Sequence, residues 1–205
     1  MAESALPRRR RALIALATAA ALTACGKSGA PQFKAIDITG ADYARELELT
    51  DADGRVRRLS DFKGKVTVVF FGFTHCPDVC PTTLLELAAV RKALSKAGSD
   101  GDKLQGIFVT IDPERDTPQV LKAYVDNFGA GFVALRGSPE QTRAVAKHFK
   151  VHYAKAPGKT PESYTVDHTA GSFVFDPEGR VRLFTRYGGG AEALQHDVQL
   201  LLNER

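Results

Sequence analysis

The sequence predicts a layered α/β domain with a central mixed sheet, and three observations carry the prediction. A continuous apolar run, Val66–Phe73 (VTVVFFGF), has the length and β-branched content of a strand buried on both faces, and Leu104–Asp112 (LQGIFVTID) reads as another buried strand. Segments of helical period lie between and after them. Turn signals, Asp53-Gly54 and Asp176-Pro-Glu-Gly179, mark hairpins near the two ends of the body.

In chain order, ELELTDADGRVRRLSDFKGK alternates apolar and polar residues about Asp53-Gly54 and reads as an N-terminal β-hairpin. The buried strand Val66–Phe73 follows. From Pro81, PTTLLELAAVRKALSKAG sets Leu84, Leu87, Ala88, Arg91 and Leu94 at helical spacings. Pro81 suits the first helical position, where an N–H has no partner, and Gly98 ends the helix. After the strand Leu104–Asp112, Thr117–Gly129 is an amphipathic helix with Pro118 at its start. Then come a strand (FVALRG), a helix with Ser138 as N-cap and Glu140 in its first turn, and a loop with short extended pieces (VHYAKAPGKTPESYTVDH). GSFVFDPEGRVRLFTRY reads as a second hairpin and GAEALQHDVQLLLNE as a closing helix. A βαβ unit with cysteines between strand and helix reads as thioredoxin-like.

The 205 residues, 43% hydrophobic and 25% charged, suit one globular domain. Of the net charge of +4, +3 falls within the first 24 residues, through Arg8–Arg11 and Glu3. The near-neutral body offers no electrostatic footprint for nucleic acid. The arginines precede an apolar run of eleven residues, Ala12–Leu22, whereas a spanning helix needs roughly 20. Residues 1–24 therefore read as a secretory signal peptide. Leu22-Thr-Ala-Cys25 resembles the lipobox of bacterial lipoproteins, which implies a lipid on Cys25, a tether over 25–40 and a folded domain over 41–205. The expected place is the periplasmic side of a bacterial membrane, where disulfides persist.

With Cys25 lipidated, Cys76 and Cys80 of FGFTHCPDVCP are the remaining thiols. Their position beside a helix N-terminus favours thiolate, expected most at Cys80, and thiolate serves disulfide exchange and metal ligation alike. The C-x-x-x-C spacing is one residue longer than the usual redox motif, and a bridge remains possible. Zinc fits poorly, since no second close cysteine pair offers four ligands. Two thiolates with one imidazole suit copper. Among the histidines, His75 neighbours Cys76 on an extended loop and points elsewhere. His148 reads as structural, and His152 and His196 as solvated. His168 precedes a buried strand, in a loop that packs against the cysteine turn in a thioredoxin-like fold.

FGFTHCPDVCPTT, VTIDPERDTPQVLKAY and YTVDHTAGSFVFDPEGRVR together resemble the Sco/SenC copper-chaperone family, in its motif order, from about residue 45 to the C-terminus. The resemblance implies a membrane-attached thioredoxin-fold protein that binds copper and helps build the Cu-A centre of cytochrome c oxidase. It places the family's ligands for one copper ion on Cys76, Cys80 and His168. Asp112–Pro118 also matches, and is expected to be a turn and helix N-cap built from Asp and Pro. Asp78 and Asp167 flank the site. Oxidation to a Cys76–Cys80 disulfide would remove two ligands, so bridge and metal are alternative states. Implied partners are a Cu-A subunit or other cuproprotein, a copper donor, a periplasmic thioredoxin-like reductant and the membrane. Rival readings are a thiol-disulfide oxidoreductase that needs no His168, a redox or copper sensor, and a peroxiredoxin-like peroxidase. The last lacks its T-x-x-C spacing at Thr74-His-Cys76.

Overall fold

The computed structural model describes residues 32–98, 101–160 and 163–204. Its ten strands are β1 (Ile36–Asp37), β2 (Glu48–Asp51), β3 (Val56–Arg58), β4 (Val66–Gly72), β5 (Leu104–Thr110), β6 (Val133–Arg136), β7 (Tyr153–Ala156), β8 (Thr165–His168), β9 (Gly171–Phe175) and β10 (Val181–Arg186). Among the described residues four α-helices join them: α1 (Val79–Lys96), α2 (Pro118–Asp126), α3 (Pro139–His148) and α4 (Ala191–Asn203). Eight strands form one mixed sheet in the order β1-β10-β9-β4-β5-β6-β2-β3, and β7 and β8 form a separate ribbon. The expected thioredoxin-like mixed sheet, flanked by helices and carrying the N-terminal hairpin β2–β3, is present.

Strand β4 is central for the reason its composition suggests. All seven of its residues are buried, as are all seven of β5, and the two run parallel from Val66 opposite Leu104 to Gly72 opposite Thr110. The two-residue period divides the core into two layers. Val66, Val68 and Phe70 pack with Leu84, Leu87, Val90 and Leu94 of α1, Leu121 and Val125 of α2, and Val198 and Leu201 of α4. Val69, Phe71 and Phe73 face the other way, toward Leu49, Phe62, Ala146, Phe149, Phe173 and Phe175. Phe71 and Phe73 are therefore core residues.

Three boundaries differ from expectation. Helix α1 begins at Val79, so Pro81 is its third residue, still within the first turn, where N–H groups lack intrahelical partners. The helix after the Asp112–Pro118 turn is capped by Thr117, whose hydroxyl accepts from the Val120 N–H at 3.3 Å, and not by an aspartate. Residues 33–40 do not form a tether. Ile36 and Asp37 pair with Phe184 and Leu183, and the folded unit starts at Phe33. Buried Asp197 of α4 accepts from the backbone N–H of Lys34 and Ala35, each at 2.8 Å, which fixes this segment against the body. The signal-peptide and Cys25 readings lie outside the described residues. Among those described, no helix is long and apolar enough to cross a membrane.

Candidate metal centre

The site is built where β4 hands the chain to α1. Gly72 ends β4, and a Cβ there would collide with Cys80 Sγ and come within 2.8 Å of Phe108 Cε2. A glycine at this point lets the Cys80 sulfur lie directly on the strand backbone. Phe73 is buried, the Cys76 N–H donates to its carbonyl at 3.1 Å, and the turn holds Cys76 half-buried. Cys80, in the first turn of α1, is 0% exposed. Both cysteines are free thiols in this structure.

His168 arrives from the other side, as the last residue of β8 opposite Tyr153 of β7. Its ring meets Phe73 edge-on at 6.1 Å. Its Nδ1 lies 3.0 Å from the Thr169 carbonyl oxygen, which can only accept, so Nδ1 carries the proton. That leaves Nε2 as the ring nitrogen able to ligate. One ligand atom each from Cys76, Cys80 and His168 lie within 4.8 Å of one another. The structure thus brings together the three residues singled out from the sequence.

The two thiols divide their roles by burial. Cys76 is pulled down to about 5, chiefly because the Cys80 thiol donates to it, aided by backbone N–H groups of Asp78 and Cys80 and by the His168 ring. Cys80 is pushed up, because it keeps the shared proton and because burial disfavours a second charge beside Cys76. The expectation that the helix N-terminus would favour Cys80 as thiolate is therefore corrected. The N–H groups act on Cys76, and the proton shared with Cys76, followed by burial, keeps Cys80 protonated.

A network the sequence did not reveal ties the two halves together. Asp116, fully buried, accepts from the Thr74 N–H (3.2 Å), the Thr74 hydroxyl (2.6 Å) and the Thr110 hydroxyl (2.5 Å). It thereby holds the turn two residues before Cys76. Burial pushes its carboxyl up, against the pull of those donors. Asp112, also buried, accepts from Arg115 Nε at 2.5 Å and from the Tyr164 hydroxyl at 2.7 Å. Arg115 lies over the Tyr164 ring at 3.6 Å and donates to the Tyr164 carbonyl at 2.8 Å. Tyr164 immediately precedes β8. The Asp112–Asp116 turn therefore braces the cysteine turn at one end and the histidine strand at the other. Alternating acid and base in DPERD hinted at such pairing, but not at its partners 42 and 52 residues away in sequence.

The remaining candidates stay out of the site. His75 is exposed, its Nδ1 3.2 Å from the Thr74 hydroxyl. His148 Nε2 accepts from the Arg45 N–H at 3.2 Å, a structural role. His152 is exposed, and His196 pairs with Asp197 at 2.9 Å. Asp78 and Asp167 are exposed; Asp78 stands at the α1 N-cap position without a side-chain bond to the helix backbone.

Fold and site define a thioredoxin-like protein whose dithiol turn is met by an imidazole. A family model described as SCO1/SenC matches residues 37–203. The mitochondrial SCO2 homolog of Bos taurus is 37% identical over 150 residues, 73% of this chain and 55% of the bovine protein, so the chain spans about half the length of that relative. The structure of Bradyrhizobium japonicum ScoI with copper bound is similar at a TM-score of 0.68 and 38% identity, over 76% of this chain and 97% of that one. The solution structure of apo Sco1 from Thermus thermophilus is similar at a TM-score of 0.72 and 40% identity, over 83% and 97% of the two chains. The chain belongs to the SCO1/SenC family.

Proposed function

We propose that the protein is a copper chaperone that receives one copper ion on Cys76, Cys80 and His168 and passes it to the Cu-A centre of cytochrome c oxidase. The observation that carries this reading is the convergence of two sulfurs and one imidazole within 4.8 Å, with Nδ1 of the ring already committed to Thr169. Soft thiolates suit Cu(I), the imidazole helps hold Cu(II), and three ligands leave room for an acceptor's donor atom. Membrane attachment through lipid on Cys25, facing the periplasm, completes the reading and rests on the N-terminal sequence.

Disulfide formation is the alternative state of the same site. Two thiols joining as Cys76–Cys80 release two electrons and two protons, so reloading requires a dithiol reductant that returns both. In the bridged form two of the three ligands are gone and the ion leaves.

A second reading is favoured by one observation: a half-buried thiolate at Cys76 with a fully buried thiol behind it is the layout of an attacking and a resolving cysteine. In that role the protein would keep an acceptor's cysteines reduced. Copper content of the reduced protein and of Cys76→Ser, Cys80→Ser and His168→Ala variants separates the two. Chaperone function predicts one copper per wild-type chain and a charge-transfer band lost in each variant. Full acceptor maturation by His168→Ala would favour the reductase.

A further inference from the structure

The hydroxyl of Tyr124 is buried and has no hydrogen-bond partner. Tyr124 lies on α2, away in sequence from every residue of the metal centre, yet its ring packs on the same ground. It is tilted against Phe108 with ring centres 5.5 Å apart. Phe108 and Cys80 Sγ together crowd the space above Gly72. Tyr124 and Cys76 both pack against the core cluster that contains Cys80 and Phe108. The acidity of the hydroxyl is suppressed first by burial and then by Cys80, Cys76 and Asp116, in that order, so the group stands in the field of both sulfurs.

A buried phenol that keeps its proton is a donor in want of an acceptor. In the metal-free site the hydroxyl hydrogen-bonds to neither sulfur. Copper binding takes both sulfurs as thiolates, and Cys80 lies in a place closed to water. We propose that Tyr124 is a positioning residue for the metal-loaded state, its hydroxyl donating to the Cys80 sulfur once that sulfur is a copper-bound thiolate. The inference rests on the copper reading above.

The test is Tyr124→Phe in the reduced protein, a change that keeps the ring and its packing. A hydrogen bond to a thiolate stabilises the sulfur lone pair and moves its charge-transfer band with Cu(II) to higher energy. The variant should therefore show that band at lower energy, and should lose Cu(I) to a competing chelator about tenfold more readily, in line with one charge-assisted bond. Its denaturation midpoint and the alkylation rate of Cys76 without metal should match the wild type. Superimposable bands and equal chelator competition in the two proteins would overturn the role of Tyr124 and leave the copper reading intact. Equal losses with and without metal would also overturn it, assigning the residue to the fold alone. Absence of the band in the wild type as well would remove both.

Discussion

Asp116 grips Thr74 twice, by its backbone N–H and by its hydroxyl, and the residue so held lies two before Cys76. With the Thr110 hydroxyl this makes three donors converging on one buried carboxylate. Asp116→Asn replaces one accepting oxygen with an NH2 group that faces donors. The variant should lose about 1–3 kcal/mol of stability, the cost of leaving a buried polar group unsatisfied. The loosened turn should also retain less copper. Urea denaturation monitored by circular dichroism, with metal analysis after gel filtration, reads both effects. An unchanged midpoint would show that Asp116 is not what holds the turn.

The thiol asymmetry predicts a pH profile. Cys76 is lowered to about 5, so it is already thiolate at neutral pH, whereas an ordinary cysteine near 8.5 is mostly protonated there. Alkylation of the reduced, metal-free protein should be level between about pH 6 and 8 and fall about tenfold per unit below 5. Mass spectrometry should find the label on Cys76 and not on Cys80. A rate that climbs through pH 8 would contradict the assignment.

Metal affinity should follow the same division. In the neutral range copper displaces a proton from Cys80 only, because Cys76 has none to lose. The sign is that affinity rises with pH, by about tenfold per unit between pH 7 and 8.5. Two ordinary thiols would give about a hundredfold. Chelator competition at several pH values distinguishes the slopes.

Gly72→Ala should disturb both fold and site, because the added methyl meets Cys80 Sγ and Phe108. Forcing one carbon into so tight a contact costs about 1–3 kcal/mol. Since the flexible neighbour is the sulfur itself, copper binding should weaken along with the denaturation midpoint. A variant that binds copper as the wild type does would mean that the backbone absorbs the strain.

The strand and helix succession was legible because buried strands and amphipathic helices write their periods into local sequence. Cys76, Cys80 and His168 were legible because metal chemistry restricts residue type and spacing. What escaped was set by contacts distant along the chain. That Cys80 keeps the proton depends on its complete burial against Gly72, which no spacing encodes. Asp112 and Asp116 looked like turn formers because aspartates commonly are, and their bonds to Tyr164 and Thr74 exist only in the folded molecule. Phe33–Asp37 passed for tether because two paired residues are too few to show a period; buried Asp197 supplies the hold instead.

The eight-stranded sheet ends in β1, two residues long, and in β3, three residues of which two are arginine. Neither border offers the row of unpaired amides that a visiting strand would need, and short charged rims discourage lateral stacking of sheets. Recognition by backbone zippering along this sheet is thereby disfavoured. On the copper reading proposed above, a donor or acceptor would then meet this protein side chain to side chain at the turn, a shallow encounter suited to brief visits and quick departure.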